Sequence, residues 1–236
     1  VAGTVSFAES IITTLANAAR SVEAVDFDGD SDVDVLVSSF RDNTAAWHEN
    51  DGSQSFTERA IWSSSGVKDA SFSDVDGDAD WDVVVASSKE TVVAWLENDG
   101  SQSFTERLVT TLVTAVQEVA AYDLDGDGDE DVLYVDEDAD ALAWYENDGT
   151  QSFTQRIITN AANGAYAVFA ADADGDGDVD VFLASYADDT VAWYENDGSQ
   201  SFTERVITAA ADQAKGVFAI DVDGDGDLDV LSASYN

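Results

Sequence analysis

Short apolar stretches separated by acidic and turn-forming residues run the length of the chain, and none keeps a helical period. In the stretch from Ala170, an apolar run ending at Ala171 predicts a first strand. Val181 to Ser185 is continuously apolar apart from its last residue, the pattern of a strand buried on both faces. Thr190 to Glu195 mixes β-branched and aromatic residues and runs into Asn196-Asp197-Gly198, which is turn chemistry. Phe202 to Ile207 predicts a fourth strand. Pro, which cannot donate to a ladder, is absent.

This four-strand pattern recurs. Trp-x-Glu-Asn-Asp-Gly begins at Trp47, Trp95, Trp144 and Trp193, and Ser-Phe-Thr-(Glu/Gln)-Arg begins at Ser55, Ser103, Ser152 and Ser201. An Asp-rich string begins at Asp26, Asp74, Asp123, Asp172 and Asp221, at spacings of 48, 49, 49 and 49 residues. The repeat fills residues 1–236 without a linker, which predicts one domain. Four strands at a period of 40 to 50 residues are the mark of propeller blades, and an all-β propeller is the expected fold. Stacked blades would bury the recurrent Trp of strand three and Phe of strand four between them.

Blade number follows from the ends. Gly3, Ser6, Phe7, Glu9, Ile12 and Thr13 match Gly198, Ser201, Phe202, Glu204, Ile207 and Thr208, so the chain is expected to open on a fourth strand. It closes just after a second strand. Five blades are expected, the fifth built from both termini. Counterparts of residues 188 to 195 are missing, so either that blade lacks strand three or the sequence is a fragment. An incomplete blade would leave an edge open to self-association. The absence of Met and the start at Val1 suggest a processed, trimmed or fragmentary form.

Composition narrows the function. A net charge of −41 with only nine Lys and Arg argues against nucleic acid and anionic membranes, while 44% hydrophobic residues set the chain apart from a disordered acidic tail. No apolar run reaches the roughly 20 residues of a membrane span. Without Cys and with one His, His48, thiolate sites and most zinc chemistry are excluded.

The Asp-rich string carries the chemistry. In Asp123-Leu124-Asp125-Gly126-Asp127-Gly128-Asp129-Glu130-Asp131, carboxylates at positions 1, 3, 5 and 9 can converge on one point, position 7 can offer its carbonyl, and Gly at positions 4 and 6 lets the backbone curl. All-oxygen donors select a hard cation, and a flexible multi-carboxylate loop suits calcium better than magnesium. The flanks are strands and the last acid is Asp at position 9, so this is not an EF-hand.

At these residues the sequence resembles the FG-GAP/VCBS repeat family, the calcium-binding blades of integrin α-subunit propellers and certain fungal lectins. The resemblance covers all five units and implies one calcium per loop, up to five. Its implied side-chain ligands are Asp26, Asp28, Asp30 and Asp34; Asp74, Asp76, Asp78 and Asp82; Asp123, Asp125, Asp127 and Asp131; Asp172, Asp174, Asp176 and Asp180; and Asp221, Asp223, Asp225 and Asp229. Its implied carbonyl ligands are Asp32, Asp80, Asp129, Asp178 and Asp227. Position 6 departs from the pattern at Ser31 and Ala79; if it requires positive φ, those loops should bind more weakly. Integrin propellers have seven blades, so the number five rests on counting.

The resemblance points to an extracellular or cell-surface module that binds a protein or a glycan without catalysis. A more specific alternative is a lectin with pockets between blades, using Tyr145 and Tyr194, although core or rim packing explains those residues better. A third is a two-carboxylate glycosidase. Its acids would have to break the repeat, as Glu23, Glu90, Glu118, Asp136, Glu137 and Asp138 do, and no signature flanks them. Arg59, Arg107, Arg156 and Arg205 are expected to pair with neighbouring carboxylates.

Overall fold

The computed structural model describes residues 8–235. It is all β, and four of its five sheets have four antiparallel strands in sequence order. Unit one comprises β1 (Ala19–Val25), β2 (Asp34–Ser39), β3 (Thr44–Asn50) and β4 (Phe56–Ser63). Unit two follows with β5 (Val67–Ser73), β6 (Asp82–Ser87), β7 (Val92–Asn98) and β8 (Phe104–Thr110). Unit three has β9 (Val116–Tyr122), β10 (Asp131–Asp136), β11 (Ala141–Asn147) and β12 (Phe153–Thr159). Unit four has β13 (Ala165–Ala171), β14 (Asp180–Ser185), β15 (Thr190–Asn196) and β16 (Phe202–Thr208). Among the described residues unit five has β17 (Ala214–Ile220) and β18 (Asp229–Ser234).

The sheets stack face to face. Trp144 of unit three packs with Val181, Leu183 and Tyr194 of unit four. Trp95 of unit two packs with Val132 and Tyr145 of unit three, and Trp47 of unit one with Val83 and Leu96 of unit two. Each sheet is therefore apolar on both faces and needs two neighbours, as blades do. The second strands β2, β6, β10 and β14 are buried at every residue, as their continuous apolar runs predict. Trp47, Trp95 and Trp144 are fully buried, whereas Trp193, facing the two-stranded unit, is only partly so.

First strands of neighbouring units lie side by side and line a common cavity without forming a ladder, and side chains satisfy backbone N–H groups there instead. Phe72 N donates to Glu23 (2.9 Å), Val119 N to Asp69 (2.9 Å) and Val168 N to Glu118 (3.1 Å). Glu23 and Glu118, two of the acids singled out as breaking the repeat, and Asp69, which was not, thus staple one unit to the next.

Unit five departs from the expectation of a blade completed by both termini. Gly3, Ser6 and Phe7 lie outside the described residues, while residues 8–13, which include Glu9, Ile12 and Thr13, form no strand. The physical reason is the missing strand three: without it a fourth strand has no ladder to join. Residues 11–15 instead run beside His48, Phe56 and Glu58 of unit one. β18 is exposed along most of its length, unlike every other second strand.

Burial, and then the nearby Asp69, push the Glu118 carboxyl from 4.5 up to about 8. The folded state therefore holds a proton that the unfolded chain releases. This contribution to stability is complete below the ordinary glutamate range and falls as pH rises toward 8. Glu118→Gln keeps an acceptor for Val168 N and removes the titration. Its stability in thermal melting should match the parent's near pH 4 and exceed it at about pH 8.5, by up to about 5 kcal/mol at roughly 1.4 kcal/mol per pKa unit. Identical pH profiles for the two proteins would show that Glu118 titrates normally.

Candidate metal centres

Each Asp-rich loop joins the first strand of its unit to the second, and it is shaped by hydrogen bonds from its own backbone. The position-6 N–H donates to the position-1 carboxylate in all five loops, at 3.0–3.1 Å from Ser31, Ala79, Gly128, Gly177 and Gly226. Position 7 N donates to the position-5 carboxylate in the same way, for example Asp129 N to Asp127 at 3.0 Å. The backbone wraps around its carboxylates, and the free oxygens face one another.

Three carboxylates converge in every unit, with one oxygen of each within 4.8 Å of the others. The triads are Asp26, Asp28 and Asp30; Asp74, Asp76 and Asp78; Asp123, Asp125 and Asp127; Asp172, Asp174 and Asp180; and Asp221, Asp223 and Asp225. Positions 1, 3 and 5 meet in four loops, and positions 1, 3 and 9 in unit four. Such triads can hold a metal ion. Asp26 Oδ1 and Asp76 Oδ1 are buried without any hydrogen-bond partner, an unstable arrangement for a carboxylate unless a cation faces it. Without one, burial foremost raises the carboxyls of Asp28, Asp76 and Asp125, and neighbouring acids such as Asp30, Asp78 and Asp127 raise them further.

Position 9 is a structural node. Asp34, Asp82, Asp131 and Asp180 are buried, and each accepts two backbone hydrogen bonds. One oxygen takes the position-2 N–H, as in Leu124 N to Asp131 (2.9 Å). The other takes the N–H of the Asn that ends strand three, at 2.7–2.8 Å from Asn50, Asn98, Asn147 and Asn196. Burial lifts Asp82 and Asp131 to about 7 despite these bonds. Asp229 keeps its bond from Val222 N, but it has no strand-three Asn and is exposed.

Position 7 has a side-chain role that the sequence did not disclose. The carboxylates of Asp32, Asp80, Asp129 and Asp178 lie against Gly52, Gly100, Gly149 and Gly198, so closely that a Cβ there would overlap an oxygen. The Gly of Trp-x-Glu-Asn-Asp-Gly thus makes room for the loop. The Asn of that motif reaches across units as well: Asn147 Nδ2 donates to Val75 O (3.0 Å) and Asn196 Nδ2 to Leu124 O (3.1 Å), both at position 2 of the preceding unit's loop.

Of the aromatic candidates, Tyr145 and Tyr194 point to the face opposite their neighbouring Trp, as alternation predicts, and are buried in the core. The Tyr145 hydroxyl lies 2.7 Å from Thr110 Oγ1. They offer no open ring face for a sugar. Arg59, Arg107, Arg156 and Arg205 pair with Glu49, Glu97, Glu146 and Glu195.

The FG-GAP-like repeat family model matches four overlapping stretches, residues 26–85, 74–134, 123–183 and 172–232. The chain belongs to this family. A search of curated proteins found no match. Among solved structures, a functionally unknown protein from Desulfotomaculum acetoxidans aligns at TM-score 0.64 and 11% identity, over 94% of this chain and 64% of that one. An auxiliary nutrient binding protein from Bacteroides ovatus aligns at 0.55 and 10%, over 78% and 51%. The V. cholerae biofilm matrix protein Bap1 aligns at 0.54 and 17%, over 96% and 37%. These identities support a shared fold alone, and this FG-GAP chain spans between about one third and two thirds of each neighbour.

Position 6 takes positive φ in every loop: Ser31 at 78° and Ala79 at 73°, against 97–99° for Gly128, Gly177 and Gly226. A side chain there costs about 1–2 kcal/mol. A Cβ at the three Gly positions would meet nothing within 4 Å, so the cost lies in the backbone rather than in a clash. Ala79→Gly should therefore stabilise the protein by about 1 kcal/mol in chemical denaturation, with loop two becoming harder to strip with chelator. A neutral or destabilising result would show that the loop relaxes around Ala79 at no cost.

Proposed function

We propose that this chain is a calcium-stabilised, five-bladed propeller that works outside the cell as a non-catalytic binding or adhesion module. The observation that carries the reading is the recurrence of converging carboxylates in all five units, with the orphaned oxygens of Asp26 and Asp76 among them. The donors are oxygens only, which favours a hard cation, and loops of this flexibility suit six to eight ligands at calcium distances. Position 9 retains spare lone pairs beyond its two hydrogen bonds, and the position-7 carbonyl is a further candidate ligand. External calcium at millimolar levels would fill loops of modest affinity.

A binding role is supported by the fold's occurrence in a nutrient binding protein and a biofilm matrix protein. Against catalysis stands the use of the repeat-breaking acids. Glu23 and Glu118 are engaged in stapling units, and Asp136 accepts bonds from Thr114 N and Ala115 N. A protein or glycan partner remains the reading for the ligand. Self-association belongs to the same proposal, because β18 leaves an unpaired edge among the described residues.

The test of the cation is thermal melting in calcium, in EGTA, and in EGTA followed by magnesium. Each site near saturation should contribute about 1.4 kcal/mol per tenfold rise in free calcium. EGTA should lower the melting temperature sharply and magnesium should restore it only in part. An unchanged melting temperature in EGTA would reduce the loops to acidic turns. A glycan array run with and without calcium then separates a sugar ligand from a protein partner.

A further inference from the structure

The end of the first strands away from the metal loops has the opposite electrostatic character. Arg20, Lys68, Gln117, Tyr166 and Lys215 each stand six positions before the first Asp of their loop, at the start of the five inner strands. Together they line one cavity of about 240 Å³. A seven-residue strand at ~3.3 Å per residue places them roughly 20 Å from the Asp clusters. The units repeat their loops closely, yet at this position they differ, as a single asymmetric site on a repeat scaffold requires.

Three of the chain's nine Lys and Arg meet in this mouth. The ion pairs among the described residues are the four of the fourth strands, and Arg20, Lys68 and Lys215 make none. They are held instead by uncharged partners. Arg20 donates to the Tyr166 hydroxyl (3.4 Å) and Lys68 to Gln117 Oε1 (2.6 Å). Lys215 lies over the rings of Tyr166, Tyr186 and Tyr235 at 4.6–5.7 Å, and Arg20 and Lys68 lie over Phe40. Burial, then the charges of Arg20 and Lys215, hold Lys68 below its ordinary value against the pull of Glu137. Asp69 and Glu118 also line the cavity, but they are turned to the Val119 and Val168 N–H groups, and burial favours their neutral forms.

We propose that this mouth binds a compact oxyanion: the carboxylate or sulfate group of a small ligand. Glu137 accepts from Gln117 Nε2 (2.6 Å) and makes no ion pair with the three cations, which leaves them without a direct counter-ion, and the Arg fork matches planar oxygen pairs. The cavity of about 240 Å³ has room for one such group and continues past Arg20, Ser21 and Asp69 into an adjoining cavity of about 540 Å³. The net charge of −41 repels long polyanions from the rest of the surface, which restricts the ligand to one local charge. The site gives the binding-module reading a specific location; it does not depend on the metal being calcium.

Isothermal titration of the full chain in calcium-containing buffer tests it, with sodium glucuronate, sodium sulfate and neutral methyl glucoside as probes. One of the two anions, or both, should bind once per chain, and methyl glucoside should not bind. Glucuronate binding alone assigns a carboxylate ligand, and sulfate binding alone assigns a sulfated one. Lys215→Gln and Arg20→Gln, both at exposed positions, should weaken binding tenfold or more, whereas Arg107→Gln in a strand-four pair should leave it unchanged. Absence of binding by both anions, equal binding of methyl glucoside, or full affinity in Lys215→Gln and Arg20→Gln would overturn the proposal. Melting of each variant with and without EGTA confirms its fold and keeps failure of the anion site distinct from failure of the calcium reading.

Discussion

The carboxylate at position 9 of each Asp-rich loop begins strand two, accepts the position-2 N–H of its own loop, and accepts the N–H of the Asn that ends strand three. One buried side chain therefore fixes the loop's curvature, the start of one strand and the end of another. It is an expensive node: burial raises Asp82 and Asp131 to about 7, and only the two hydrogen bonds oppose that rise. A cation against the neighbouring triad would favour the ionised form of every carboxylate near it. Electrostatics at the loop and order in the sheet are thus the same problem.

The node also reaches beyond its own unit. The position-2 side chains Phe27, Val75 and Leu124 sit in the core shared with the next unit, a burial of roughly 1.5–3 kcal/mol for each large side chain. The carbonyls of Val75 and Leu124 accept from Asn147 and Asn196 of that unit. A change in one loop is felt at the adjoining interface, which predisposes the units to lose order together rather than singly. Val222, at the same place in unit five, has no following unit among the described residues and is 61% exposed, and its Asp229 is exposed too.

Much of this was legible in the sequence because the repeat prints each constraint four or five times. The runs Val181 to Ser185 and Phe202 to Ile207 foretold β14 and β16 to within a residue. The loops were recognisable from Asp spacing, and the need for positive φ at Ser31 and Ala79 followed from Gly at the equivalent positions. The hidden features depend on proximity between units. Nothing local to Gly149 tells that Asp129 lies over it. Position 9 read as one more ligand, whereas its two backbone bonds appear only when strand three is in place. The N-terminal stretch matched a fourth strand residue by residue, but a match cannot supply the strand it must pair with.

The inner strands show why a repeat protein of this charge need not be uniform. Val67, Val116, Val119 and Val168 of these strands pack in the cores between units, but the residues that border the shared cavity escape the packing demands that make strands two and three alike. Position by position they are free to differ: Glu23, Asp69 and Glu118 satisfy N–H groups across unit boundaries, while Arg20, Lys68 and Lys215 gather at one mouth. The loops at the other end concentrate 26 of the chain's 50 acidic residues. At ordinary salt the Debye length is about 8–10 Å, at most about half the ~20 Å of strand between them, so neither end neutralises the other. The fold therefore keeps two electrostatically separate ends on one scaffold, an acidic one tied to the integrity of the sheets and a cationic one whose residues the sheets do not require.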